Sequence, residues 1–314
     1  MRALTVVLSS AIALISGSAH PQSYPDRPIQ MLVPFGPGGT TDIMARLLQE
    51  EIGKALGGSV VVNNVAGAGG AIAMSQLARA RADGYTIAMT AVGPLAVQSA
   101  RRGSNYTPDS FDYICATYDA PVVTFVAHDA PHQDVRAFAA AGKAAAGKMN
   151  YGSSGIGSVP HLSMLALLKE LAVEALHVPY KSTGDMILPL KSGQIVAFND
   201  TPAVGTQHQL KAMVTLADEP APGFEKAPTA KALGLNTRAS VWGGLVAPKG
   251  LPGDVKGKLE QACEKAVNTT TYKARAAGQN NPLAWRDSAS FRTFALAEHE
   301  RYARTVRENQ LDEK

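Results

Sequence analysis

Residues 31–42, MLVPFGPGGTTD, decide how the chain is read. An apolar strand runs into a turn holding Gly36, Gly38 and Gly39, and a helix pattern begins at once with Thr40, Thr41 and Asp42. Such a joint gathers main-chain N–H groups and the positive end of a helix dipole at one point, which suits phosphate or any other small anion. A dinucleotide fingerprint is excluded, because the glycine order is wrong and the next strand ends in Asn63 and Asn64, where ribose binding wants an acid. No Gly-Lys-Ser/Thr closes the turn, so a P-loop fails as well. An anion cradle and a purely structural glycine joint both remain open.

Working outward, IQMLVPF, TDIMARLLQEEIGKAL, SVVVNNV, AIAMSQLARAR and YTIAMT alternate strand and helix with short glycine-rich joints. That order predicts a parallel sheet covered by helices. The pattern recurs in MNYGSSG, VPHLSMLALLKEL, EALHVPY, STGDMILPLKSG and QIVAFND. Ile43, Leu47, Leu48 and Ile52 in one helix, and Leu162, Leu165, Ala166, Leu168 and Leu171 in the other, repeat at helical spacing. Two helix-free stretches, FDYICATYDAPVVTFVAHD and SVWGGLVAP, are expected to carry the chain from one half to the other and back. The expected fold is therefore α/β in two lobes, each a mostly parallel sheet flanked by helices, with a ligand cleft between them. The expected division is a signal peptide at 1–23, the first part of lobe one at 24–120, lobe two at 121–240, and a return to lobe one with C-terminal helices at 241–314. Ligands of open parallel sheets bind beyond the carboxyl ends of the strands, where both glycine-rich turns fall.

The chain has 314 residues, 46% hydrophobic and 18% charged, enough for two lobes of ordinary size. Residues 1–23 carry one arginine, an apolar run too short to span a bilayer, and then small residues, which reads as a secretory signal peptide. Export is expected, followed by cleavage. The net charge of +4 is small and dispersed, which argues against nucleic acid. Cys115 and Cys263 carry no motif, and either a bridge or two small buried hydrophobes would explain them.

The second turn, GSSGIGS at 152–158, lacks the G-x-S-x-G spacing of a nucleophile elbow. His161 stands three residues beyond Ser158 but has no acidic orienter in a recognisable relation, so nucleophilic catalysis ranks below a capping role. The turn could still hold an anion through amides and hydroxyls. His128 and His132 have i,i+4 spacing, yet Pro131 between them removes the helix that would give it meaning, and no metal site is expected. Asp200 ends a predicted strand near the cleft mouth, where a pocket role and a cap for the next helix compete. Trp242 reads equally as cleft wall or core.

These residues carry a resemblance. The ordered set YPDRPIQMLVPFGPGGTTDIMARLL, NNVAGAGGAIA, ADGYTI, MNYGSSGIGSVPHLSMLALL, HVPYKSTGDMILPLKSGQIVAFND and WGGLVAPKGLP resembles the receptors of the tripartite tricarboxylate transporters, also called Bug proteins. The resemblance implies a periplasmic solute-binding protein whose two lobes close on a small organic carboxylate and pass it to integral membrane transporter subunits. It implies a monomer with no cofactor, no metal and no catalysis. It also implies the site: Phe35, Gly38, Gly39, Thr40, Thr41 and Asp42 from one loop, Ser153, Ser154, Gly155, Gly157, Ser158 and His161 from the other, and Asp200 facing the distal part of the ligand. An exported ligand-sensing subunit of a signalling receptor is the alternative, and a serine hydrolase ranks last.

Overall fold

The structure is a computed structural model that describes residues 24–132 and 134–308; the expected signal peptide lies outside them. In chain order the elements are β1 (Ile29–Val33), α1 (Thr40–Leu56), β2 (Val60–Asn64), α2 (Ala71–Ala78), β3 (Thr86–Ala91), β4 (Phe111–Pro121), β5 (Val123–Val126), α3 (Val135–Ala144), β6 (Met149–Ser153), α4 (Val159–Glu170), β7 (Ala175–Pro179), α5 (Ile187–Lys191), β8 (Ala197–Asp200), α6 (Pro202–His208), β9 (Lys211–Thr215), β10 (Ser240–Pro248), α7 (Gly253–Asn268), α8 (Thr270–Gly278), β11 (Leu283–Arg286) and α9 (Ser288–Glu308).

The strands form two sheets, ordered β11-β4-β10-β3-β1-β2 and β7-β6-β8-β5-β9. Each lobe therefore repeats one arrangement, with β2-β1-β3 matching β7-β6-β8. In both sheets the fourth strand runs against its neighbours: β10 is antiparallel to β3 and β4, and β5 to β8 and β9. The pairs joined by helices, β1 with β2 and β6 with β7, are parallel because a crossover helix returns the chain to the same end of the sheet. The reversed strands β5 and β10 are those that enter from the other lobe, with no crossover helix to turn them round.

Burial follows from position. β1 sits between β2 and β3 and buries Ile29, Met31, Leu32 and Val33, the continuous apolar run of a strand covered on both faces. Edge strand β2 carries Asn63 and Asn64 at its end. At the crossing, Val122 donates its N–H to the Ala239 carbonyl at 3.0 Å, Leu216 to Val122 at 2.8 Å, and Ala239 to Leu216 at 3.0 Å. The two crossing segments and the residue after β9 are thus hydrogen-bonded to one another where the lobes join. Cys115 on β4 and Cys263 on α7 form a disulfide across 148 residues of sequence, which settles the alternative that the sequence left open. Trp242 belongs to the core: it is fully buried, packs edge-on against Phe291 and Phe294, and donates its indole N–H to Glu298 at 3.0 Å.

Candidate ligand-binding site

β1 and β6 occupy equivalent places in the two sheets, and each runs through a glycine-rich loop into a helix. Between these loops lies a small cavity of about 30 Å³, room for one or two water molecules. Lobe one lines it with Phe35, Gly39, Thr40 and Thr41, with 91–93 at the end of β3, and with Val241; lobe two contributes Ser154, Ser158, Val159, Pro160, Thr183 and Asp200. Asp200 is the one charged side chain in this wall.

Asp200 also joins the lobes. Its Oδ1 accepts from the Thr40 hydroxyl of α1 at 2.8 Å and from the Thr201 N–H at 2.8 Å, while Oδ2 accepts from the Thr183 hydroxyl. Thr40 and Thr201 hydroxyls meet at 2.6 Å. Burial raises the pKa of Asp200 above the ordinary carboxylate value, with those hydrogen bonds and nearby His208 pulling the other way. Asp200 does not cap α6, whose N-cap is Thr201.

The loops interlock around the cavity. Gly36 donates its N–H to the Lys181 carbonyl at 3.3 Å, His208 Nε2 meets the Gly38 carbonyl at 3.2 Å, and Gln98 Nε2 donates to the Ile156 carbonyl at 2.7 Å. Gly155, at φ +113°, approaches Gly69 so closely that a Cβ on it would stand 3.2 Å from the Gly69 Cα. Only glycine tolerates both the conformation and the contact.

Of the thirteen site residues expected from the sequence, Phe35, Gly39, Thr40, Thr41, Ser154, Ser158 and Asp200 meet at the cavity. The other six lie behind it and shape the loops. Asp42 turns back to accept from the Gly38 N–H at 3.0 Å, from Arg46 Nε at 3.0 Å and from Asn64 Nδ2 at 2.9 Å. The Ser153 hydroxyl pairs with His177 Nε2 at 2.7 Å and accepts from the Gly155 N–H at 3.2 Å. His161 Nδ1 accepts the Gly157 N–H at 3.2 Å, and its ring stacks on His177 with centroids 4.1 Å apart. Burial depresses the His177 pKa to about 4. A fully buried Ser153 paired with a half-buried histidine is a loop brace here, since Ser153 does not reach the cavity wall.

Sequence reasoning missed 91–93, Val159, Pro160, Thr183 and Val241. The Gly93-Pro94 junction at the end of the third lobe-one strand was a usable signal, because the carboxyl ends of parallel strands line such clefts. Thr183 had none, as its place depends on how lobe two folds back. No cluster of three or more potential metal ligands occurs among the described residues, and no described helix is long and apolar enough to cross a membrane.

Residues 44–311 match the family model described as the tripartite tricarboxylate transporter family receptor. The chain belongs to this family. Among curated receptors and their relatives it is similar to protein BugT of Bordetella pertussis, 31% identical over 95% of this chain and 94% of that protein. Among solved structures it is similar to the periplasmic binding protein BugD, with a TM-score of 0.87 and 29% identity over 92% of this chain and 99% of that one. MatC of Rhodopseudomonas palustris, solved with bound malate, gives a TM-score of 0.84 and 29% identity over 90% and 100% of the two chains. The two-lobe Bug receptor fold follows from both lines of comparison.

Proposed function

We propose that this chain is a periplasmic receptor, exported by its N-terminal signal, that captures a small organic carboxylate, aliphatic or aromatic, and delivers it to the membrane subunits of a tripartite transporter. It acts as a monomer, without metal, cofactor or turnover. The observation that carries this reading is one cavity walled by the first turns of α1 and α4 from opposite lobes, with no lysine or arginine in it. Main-chain N–H groups and hydroxyls at helix N-termini hold a carboxylate without the desolvation cost of a buried cation. Three or four charge-assisted bonds of ~1.5–3 kcal/mol each reach micromolar affinity after ordering costs. The bound malate of MatC supports the ligand class. The crossings near 121 and 240 serve as the hinge, so occupancy and closure are coupled.

Thermal-shift and calorimetric titration of the processed chain against aliphatic and aromatic acids tests the proposal. A saturable shift with at least one acid is expected. A folded, ligand-free sample that ignores every acid, or that hydrolyses an ester, would refute it.

A further inference from the structure

Glu170 is the last residue of α4, the end of a helix at which a negative charge opposes the macrodipole. Four donors from one short stretch hold it there. Its Oε1 accepts from the Asn236 N–H at 2.5 Å and from Asn236 Nδ2 at 3.1 Å, and its Oε2 accepts from the Thr237 N–H at 3.0 Å and the Thr237 hydroxyl at 2.7 Å. Burial works against the charge, yet these bonds hold the Glu170 pKa below the ordinary carboxylate value. The next residue, Arg238, makes an exposed ion pair of little weight with Asp218. Ala239 then bonds to Leu216 and Val122 where the lobes join, and Ser240 already pairs with Pro121 in the sheet of lobe one. The chain is thus pinned to lobe two as far as Thr237 and to lobe one from Ser240, which leaves 238–239 for the bend. At the other end of α4, Ser158, Val159 and Pro160 line the cavity. A helix of 12 residues, about 18 Å long, therefore joins the cavity wall to the start of the crossing.

We propose that Glu170 is a positioning residue for ligand-coupled closure: it fastens α4 to the crossing segment, so that a displacement of the first turn of α4 at the cavity is delivered to the bend at 238–239. The inference rests on the carboxylate-receptor reading above. A helix transmits displacement as a rigid element, whereas residues 216–239 contain no helix or strand and are slack without the clamp. Slack enlarges the open ensemble more than the closed one, whose lobes are tied by contacts such as that of Gln98 with the Ile156 carbonyl. Freeing about one residue's backbone in the open form alone biases the equilibrium against closure by roughly tenfold. Dissociation passes through the open form, so the loss falls on the release rate rather than on the encounter rate.

The test is amide hydrogen exchange, read by NMR on the ligand-free processed chain, in wild type, Glu170→Ala and Thr237→Val, the last removing one donor while keeping the side chain's shape. Asn236 and Thr237 lose a partner in Glu170→Ala and exchange faster whatever the clamp does. The hinge role predicts that Val122, Leu216 and Ala239, which bond to one another and not to Glu170, also exchange roughly tenfold faster, with Met31 of β1 within about twofold of wild type. Thr237→Val should show the same pattern at about threefold, and it decides the matter if Glu170→Ala fails to fold. Acceleration confined to 236–237, or spread equally to Met31 in both variants, overturns the inference and leaves the receptor reading intact, because Glu170 then only braces a loop or supports the fold. Stopped-flow binding of the acid that binds tightest in the titrations above supplies the link to capture: in the variant that folds, koff should rise severalfold, with kon within about twofold. An unchanged koff overturns the inference. Silence of the wild type toward every acid overturns the receptor reading, and this inference with it.

Discussion

His177 lies beneath the second loop, stacked on His161 and near Tyr151, with its Nε2 on Ser153. Its pKa is about 4 in the fold against 6.5 unperturbed. The unfolded chain therefore binds a proton that the folded chain refuses between those values, and stability falls as pH drops from 6.5 toward 4. Because the ring is only partly buried, the effect is about 1–2 kcal/mol after screening. Asp200 acts in the opposite sense, since its raised pKa means that acid relieves the cost of burying its charge. Urea unfolding of wild type and His177→Gln at pH 4.5 and 7 separates the two: the wild type should lose more on acidification than the variant, and equal losses would contradict the assignment. At this scale the sequence revealed which residues crowd the site but not which of them face it. Asp42 and Thr40 are two residues apart, yet one turns back to Gly38 and Arg46 while the other reaches across to Asp200.

The helices and strands were legible because each carries its own period. The apolar spacing of α1 and α4, the Gly-rich joints before them and the unbroken apolar run of β1 are local signals that need no partner. Ser158 capping α4 through the His161 N–H is equally local. The tie between β4 and α7 was not legible, since two cysteines 148 residues apart meet only after lobe two has been inserted between them. By the chain-entropy account a loop of that length makes the bridge worth about 3–5 kcal/mol, a model-dependent upper range. Neither cysteine lines the cavity. Cys115→Ala with Cys263→Ala should lower the urea midpoint accordingly while leaving acid affinity within about threefold; an unchanged midpoint would mean that the bridge does not stabilise the fold.

For the whole molecule, closure is limited by how near the lobes can come. The Gly69 and Gly155 backbones approach closely between the lobes, with Gly155 in a conformation that side chains rarely adopt. Gly155→Val should hold the lobes apart, cost about 1–3 kcal/mol of stability from the strained backbone, and weaken ligand binding at least tenfold. Small-angle scattering gives the check: ligand should shrink the radius of gyration of the wild type but not of the variant, and equal shrinkage would show that this contact does not govern closure.

The sequence by itself determined the two-lobe α/β plan, the two glycine-rich loops and the helix starts that follow them, because periodicity, turn chemistry and helix starts are properties of neighbours in the chain. Tertiary structure alone decided that Thr40 and Thr183 give their protons to Asp200, that Asp42 and His161 brace loops, and that Trp242 is core. Those outcomes depend on which groups from distant segments arrive at the same point, and on the rule that a buried carboxylate must collect donors from wherever the fold supplies them.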